Sequence, residues 1–177
     1  MRLALVMLAF AVCAAPARAD VAAASAGALL IHEETTVAVP PARAWTALTQ
    51  ISRWWSGAHT YSGDAHNLSL DAQAGGCWCE RFGASGVEHA RVIAVLHHDG
   101  TDMLRLSGAI GPLQEMAVNG VLTFTITSAP EGAKIAVTYR VSGDPGLNLD
   151  HIAPGVDSVL SEQIARLGRY ANTGRPE

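Results

Sequence analysis

The chain has 177 residues, of which 49% are hydrophobic, and its 12 basic and 16 acidic residues give a formal charge of −4 at pH 7. The basic residues are scattered along the chain instead of forming a cluster. Nucleic-acid binding depends on basic side chains that release counterions from phosphates, so this pattern argues against nucleic acid as a partner. It argues equally against an anionic membrane surface.

The first nineteen residues have the three parts of a cleavable signal peptide. Arg2 supplies a basic start, Leu3 to Ala15 form an apolar run, and Ala17 and Ala19 are small residues before a cleavage site that precedes Asp20. The apolar run is shorter than the ~20 residues of a membrane-spanning helix. We therefore expect a periplasmic or secreted protein without stable membrane insertion. Its mature form keeps 10 basic and 16 acidic residues, a formal charge of −6.

Residues 30–172 are predicted to form one domain, with a flexible lead-in over residues 20–29 and a short tail over residues 173–177. The lead-in is predicted because its residues are mostly small and show no strand or helix periodicity. A domain of this length can bury a hydrophobic core without disulfide bonds.

Hydrophobic periodicity predicts an α+β fold. Two short helices, Pro41–Thr49 and Ile51–Trp55, follow the first strand, and a long amphipathic helix closes the domain. A curved antiparallel sheet of six to seven strands wrapped around that final helix would bury the apolar face of the sheet and the apolar face of the helix. Strands are predicted at Leu30–Val39, Leu68–Leu70, Cys77–Phe82, Val87–Leu96, Met103–Ser107, Val121–Thr127 and Ile135–Val141. The apolar stripe of the helix consists of Ile152, Val156, Val159, Leu160, Ile164 and Leu167.

Several segments resemble the START-like (SRPBCC, helix-grip) superfamily, in particular its branch similar to activators of heat-shock-protein ATPase and to polyketide cyclases. The matching segments are Val37–Leu48, Trp54–Trp55, Gly75–Glu80 and Gly120–Phe124, followed by the final helix. The resemblance implies a cavity between sheet and helix that holds an apolar or amphipathic small molecule. It does not imply a reaction, because the superfamily includes carriers, sensors and cyclases. Export would separate this chain from a cytosolic chaperone, so no such partner is expected.

A non-catalytic binding protein for a small hydrophobic molecule is therefore the favoured function. Large amphipathic rings and apolar side chains line most small-molecule sites. Those expected to line the cavity are Trp54, Trp55, Trp78, Phe124, Tyr139 and Leu160.

The alternative is a cyclase-, dehydratase- or hydrolase-like enzyme that uses a polar cluster in the same cavity. Glu80, His89 and Arg105 are the candidates, since a carboxylate, an imidazole and a guanidinium can perform acid and base chemistry. Which face of strand 77–82 meets the cavity stays open at this level. The chain has no G-x-S-x-G motif and no glycine-rich phosphate loop, and no cofactor is expected.

The Cys77-Trp78-Cys79 segment allows three interpretations. The two thiols share one face of the strand near the ~7 Å limit between Cα atoms for a disulfide, so they could form a labile redox pair. They could also bind a metal together with His89, His97 or His98. The third interpretation, two small packing residues, is favoured, because free cysteine packs as a small hydrophobe and the paired spacing of zinc sites is missing. No metal is therefore expected.

Overall fold

The computed structural model describes residues 20–177, which form eight β-strands and three α-helices. The predicted signal peptide, residues 1–19, lies outside the described residues. The strands are β1 (Asp20–Ser25), β2 (Ala28–Val37), β3 (Leu68–Leu70), β4 (Cys77–Phe82), β5 (Ser85–His98), β6 (Thr101–Ser107), β7 (Asn119–Ala129) and β8 (Gly132–Ser142). The helices are α1 (Pro41–Thr49), α2 (Ile51–Trp54) and α3 (Leu149–Thr173).

The strands form one antiparallel sheet in the order β1-β2-β8-β7-β6-β5-β4-β3, and α3 follows the last strand. This confirms the predicted α+β class, with an antiparallel sheet, two short helices and a long C-terminal helix. The sheet has eight strands instead of six or seven because the chain contributes one more strand at its beginning.

That additional strand corrects the predicted lead-in. Residues 20–25 form β1, which pairs with β2 from Ser25 opposite Ala28 to Asp20 opposite His32. The small residues have little intrinsic strand preference, but pairing with the open edge of β2 needs only backbone N–H and C=O groups. Tertiary pairing therefore orders a segment whose side chains show no strand pattern.

Helix α3 packs its apolar stripe against the inner face of the sheet. Leu160, Ile164 and Leu167 are buried, and each such side chain contributes about 1.5–3 kcal/mol relative to an exposed position. Near its C-terminal end α3 approaches β2 closely, because a Cβ atom on Gly168 would lie 3.0 Å from Oγ1 of Thr35. None of the helices between residues 20 and 177 combines the length and apolar composition that a membrane span requires.

A buried carboxyl group interrupts this apolar interface. Glu33 lies on the inner face of β2, has no exposed surface, and neighbours Asp157 of α3. Burial, reinforced by the negative charge of Asp157, raises the pKa of Glu33 to about 7. The protonated form of Glu33 is therefore stable inside the fold below neutral pH, where it can donate a hydrogen bond to the Asp157 carboxylate.

We expect Glu33 to make the folded state less stable as pH rises. Its folded pKa lies above its ordinary value of 4.5, so its contribution is fully present below 4.5 and is lost as pH rises towards about 7. A shift of this size corresponds to a change on the order of 3 kcal/mol. Glu33→Gln should remove this dependence, and urea unfolding at several pH values across that interval measures it.

The matched control is Glu131→Gln, because Glu131 lies exposed in the turn between β7 and β8. The control should keep the pH dependence of the unmodified protein. If Glu33→Gln also keeps it, Glu33 does not carry the effect.

Candidate functional site

A cavity of about 640 Å³ lies beside the N-terminal half of α3. Its volume falls within the range of about 300–1,000 Å³ that is usual for small-molecule sites. The lining is mostly apolar and comes from α3, from two loops and from strands β5 and β8. The lining residues are Trp55, Ala58, His59, Thr60, Tyr61, His89, Ile110, Gly111, Pro112, Leu113, Glu115, Met116, Tyr139, Ile152, Gly155, Val156, Val159 and Leu160.

The first loop, residues 55–62, is held in place at both ends. The backbone N–H of Ser56 donates to Oε1 of Gln163 in α3 at 2.7 Å, and Nε2 of His59 lies 3.0 Å from Oε2 of Glu162. The backbone N–H groups of Tyr61 and Ser62 donate to the Glu80 carboxylate in β4. The loop therefore bridges the helix and the sheet across the cavity.

The second loop, residues 108–118, contains a 3-10 turn at Gly111–Met116 and is anchored by Tyr139. The Tyr139 hydroxyl donates to the Gly108 carbonyl at 3.2 Å and accepts from the Ile110 N–H at 3.0 Å. Burial raises the pKa of Tyr139 to about 12, so the phenol stays neutral. A Cβ atom on Gly120 would lie 2.2 Å from the Gly108 carbonyl oxygen, so this close approach requires glycine.

Glu80 is the polar centre beneath the first loop. Its carboxylate is fully buried and accepts the N–H of Ser62 at 2.6 Å and that of Tyr61 at 3.0 Å, with Nε2 of His89 also 3.0 Å away. Burial acts to raise the pKa of Glu80, but the hydrogen bonds from Ser62, Tyr61 and His89 together lower it below its usual value. Glu80 is therefore a buried carboxylate that remains ionised.

A β-bulge turns His89 towards Glu80. Trp78 of β4 lies opposite Ala90 of β5, whereas the next residue, Cys79, lies opposite Glu88, so β5 has one extra residue at this point. Strict alternation would place His89 and Ala90 on opposite faces of the sheet, yet both are buried. The bulge thus brings a histidine to the inner face, where it lines the cavity.

The His89 ring offers the cavity a proton acceptor. Burial lowers the pKa of His89 and outweighs the opposing effect of Glu80, so the imidazole is neutral at pH 7. An ionised Glu80 can only accept, so Nε2 of His89 carries the proton and Nδ1 has the free lone pair. Within residues 20–177, Nδ1 has no hydrogen-bond partner, which leaves it available to a bound molecule.

The structure brings only part of the predicted polar cluster together. Glu80 and His89 meet, but Arg105 lies on the outer face of β6, where its Nε donates to Oγ1 of Thr123 at 3.1 Å. Its neighbours Leu104 and Leu106 are fully buried on the inner face. Strand alternation therefore separates Arg105 from the other two residues, and the inclusion of Arg105 in the cluster is wrong.

The six residues expected to line the cavity divide into two groups. Trp55, Tyr139 and Leu160 line it, whereas Trp54, Trp78 and Phe124 are enclosed in the core and are not part of the lining. Trp54 turns inward because its Nε1 donates to the Leu48 carbonyl at 3.1 Å. Large rings are buried in both groups, so burial alone does not show whether a ring lines the cavity or lies in the core.

Sequence reasoning missed the contribution of the two loops. The two loops, residues 55–62 and 108–118, have no hydrophobic periodicity, so the sequence pattern does not mark them as part of a site. The signal that could have drawn attention to the second loop is its apolar content, with Ile110, Leu113 and Met116 in a segment that forms no strand. Apolar loop residues need a surface to cover, and here they cover the cavity.

Cys77 and Cys79 form a disulfide with a Cα to Cα distance of 5.3 Å. The favoured interpretation as two unpaired packing residues is therefore wrong. Extended residues two apart lie about 6.7 Å apart, so the strand contracts locally and brings the sulfurs together. The thiolate site with His97 and His98 does not form either, because these side chains contact Asp102 and Asp99 at the β5–β6 turn.

Neither a protein-family model nor a curated protein sequence matches the chain. Solved structures do resemble its fold. DynU16, a protein of the dynemicin biosynthetic locus, has a TM-score of 0.56 at 21% identity, over 83% of this chain and 48% of DynU16. An uncharacterised protein from Rhizobium leguminosarum has a TM-score of 0.54 at 19% identity, over 81% and 94% of the two chains. EF2215 of Enterococcus faecalis, of unknown function, has a TM-score of 0.53 at 13% identity, over 84% and 74%.

At these identities the similarity establishes the fold alone, and the chain spans about half the length of DynU16. In this chain the fold consists of an eight-stranded antiparallel sheet and the long helix that follows it. The chain therefore has a helix-grip fold, in which an antiparallel sheet is followed by a long C-terminal helix, and these solved structures share that fold with it.

Proposed function

We propose that this chain is an exported protein that binds one small amphipathic molecule in the cavity beside α3. The observation that carries the proposal is a cavity of about 640 Å³ whose mostly apolar wall contains the neutral imidazole of His89, with its Nδ1 free to accept a hydrogen bond. Sites of this kind hold an apolar body by burial and orient it through a few polar groups.

The wall suggests how the ligand lies. Ile152, Val156 and Val159 of α3 offer an apolar surface to its body, while His89 lies on the side of the sheet. A hydroxyl or N–H group on the ligand would donate to Nδ1 of His89. The rings of Trp55, Tyr61 and Tyr139 in the wall, together with the acceptor nitrogen of His89, make hydroxylated aromatic molecules the first ligand class to test.

Export is part of the proposal. A signal peptide over residues 1–19 would be removed before Asp20, and this cleavage would leave the whole of β1 in place. The mature protein would work in the periplasm or outside the cell, without a cytosolic chaperone as its partner.

Filling part of the cavity should weaken binding without damaging the fold. A Cβ atom on Gly155 meets no other atom within 4 Å, and the residue lies in the cavity wall, so the Gly155→Leu side chain would occupy the ligand's space. Leucine also favours a helix over glycine by about 0.5–1 kcal/mol. We expect N-phenyl-1-naphthylamine, a neutral fluorescent probe, to bind Gly155→Leu at least about tenfold more weakly, a loss of about 1.4 kcal/mol.

The matched control is Ser158→Leu, which adds the same side chain to an exposed position of α3 outside the cavity wall. It should bind the probe like the unmodified protein. Equal affinities of Gly155→Leu and the unmodified protein, by fluorescence titration, would place the binding site elsewhere.

The free nitrogen of His89 should distinguish ligands with and without a donor. We expect 2-naphthol to bind more tightly than naphthalene by about two- to tenfold, the effect of one hydrogen bond. His89→Phe keeps a ring against Tyr61 and Trp78 but removes both nitrogens, so the preference should disappear. Calorimetric titration with both compounds gives the ratio of their affinities. A general loss of binding lowers both affinities and leaves this ratio unchanged. An unchanged ratio in His89→Phe would exclude the proposed hydrogen bond.

The contact between Glu80 and His89 favours an enzyme as a second candidate function. A neutral His89 could remove a proton from a bound molecule through Nδ1, while the Glu80 carboxylate would stabilise the imidazolium through Nε2–H. Such a pair suits a cyclase-, dehydratase- or hydrolase-like reaction, and Arg105 would have no part in it.

Mass spectrometry of the molecules retained after gentle purification from the native host separates the two functions. A binding protein should return the same compound from the unmodified chain and from His89→Phe. An enzyme should return product from the first and unconverted substrate from the second. Identical compounds in both would contradict the enzymatic candidate.

A further inference from the structure

The Cys77–Cys79 disulfide is poorly suited to a purely structural role. It joins residues two apart and encloses only Trp78, whereas the stabilisation that a disulfide gives through the unfolded chain grows with the length of the closed loop. Both cysteines are half-buried on the outer face of β4, so external thiols can reach them. A carboxylate oxygen of Glu88, which pairs with Arg91, lies within 4.8 Å of both sulfurs.

The disulfide and the cavity histidine share one irregularity of the sheet. The bridge holds the Cα atoms of Cys77 and Cys79 at 5.3 Å instead of the ~6.7 Å of an extended strand. The bulge that turns His89 inward begins directly opposite, between the partners of Trp78 and Cys79. The locally contracted segment of β4 therefore pairs with a segment of β5 that has one extra residue.

Trp78 connects the bridge to the cavity wall. Its backbone lies between the two cysteines, and its ring centroid lies 4.8 Å from that of Trp55 and 5.4 Å from that of His89. Trp55 and His89 both line the cavity. Release of the contraction in β4 would move Trp78 and, through direct ring contact, both of these side chains.

We propose that Cys77 and Cys79 form a redox-active disulfide that exchanges electrons with an external dithiol, and that its reduction weakens ligand binding through Trp78 and His89. The exchange is independent of the proposed function, whereas the effect on binding rests on it. The redox partner would be a protein or small molecule with two neighbouring thiols.

The exchange proceeds through a mixed disulfide. A thiolate of the partner attacks one sulfur, the bond between Cys77 and Cys79 breaks, and the other sulfur leaves as a thiolate that takes up a proton. The second partner thiol then attacks the mixed disulfide, which releases the second cysteine as a thiol. Two electrons and two protons pass to the chain, and the partner dithiol becomes a disulfide.

Thiol counting tests the exchange. The full chain carrying Cys13→Ala has only two cysteines, Cys77 and Cys79, so alkylation followed by mass measurement reports this pair alone. We expect dithiothreitol to convert the bridge to two thiols, and oxidised glutathione to restore it, while circular dichroism shows a folded chain throughout. A bridge that opens only in denaturant, or that opens with loss of the fold, would overturn the exchange.

Titration of oxidised and reduced protein with N-phenyl-1-naphthylamine tests the effect on the cavity. We expect about threefold or greater weakening on reduction, about 0.65 kcal/mol. The control is the double variant Cys77→Ser with Cys79→Ser, which should bind like the reduced protein and should not respond to reductant. Equal affinity in both redox states would overturn the coupling. If the probe binds in neither redox state, both the proposed function and the effect of reduction on binding are overturned. Thiol exchange does not depend on this result, because thiol counting alone tests it.

Discussion

The packing of α3 against the inner face of the sheet is the constraint on which the rest of the structure depends. Near its C-terminal end the contact is close, because Gly168 lies against Thr35 and Leu167 is fully buried. In its N-terminal half, one face of the helix lines the cavity instead, and the two loops form the rest of the wall together with His89 and Tyr139 of the sheet. One helix therefore supplies both the stability of the core and a wall of the cavity, so a ligand can be held without a second domain.

Two buried glutamates show how neighbours decide the charge inside this fold. Glu33 and Glu80 both have no exposed surface. Burial acts to raise the pKa of both, but the hydrogen bonds from Ser62, Tyr61 and His89 lower that of Glu80 below its usual value, whereas burial and the neighbouring Asp157 raise that of Glu33 to about 7. Burial alone therefore does not tell which carboxyl group is ionised. Glu80, which is ionised, contacts the cavity histidine, and Glu33, which is protonated below neutral pH, lies within the interface between helix and sheet.

The sequence predicts the architecture well and the candidate site only in part, for physical reasons. Alternation in β8 and the three- to four-residue spacing in α3 reflect burial of one face, which side-chain pattern encodes directly. The bulge at His89 depends on how β4 and β5 pair, and β1 depends on an available edge of β2, so neither leaves a local pattern. The bridge between Cys77 and Cys79 likewise needs a contraction of the backbone that regular strand geometry would not suggest.

The part of α3 that lines the cavity is also its least helix-favouring part. Pro154 lacks the N–H that would bond to the carbonyl of residue 150, and Gly155 has a higher conformational entropy when unfolded than any residue with a side chain. A helix selected only for stability would place better helix formers at both positions. Gly155 instead leaves open space beside the cavity, because a Cβ atom there would meet nothing within 4 Å apart from its own neighbours and the backbone of its own helix. The residues with low helix preference therefore lie where α3 borders the proposed ligand. This agrees with the expectation that binding sites are locally less stable than the rest of a fold.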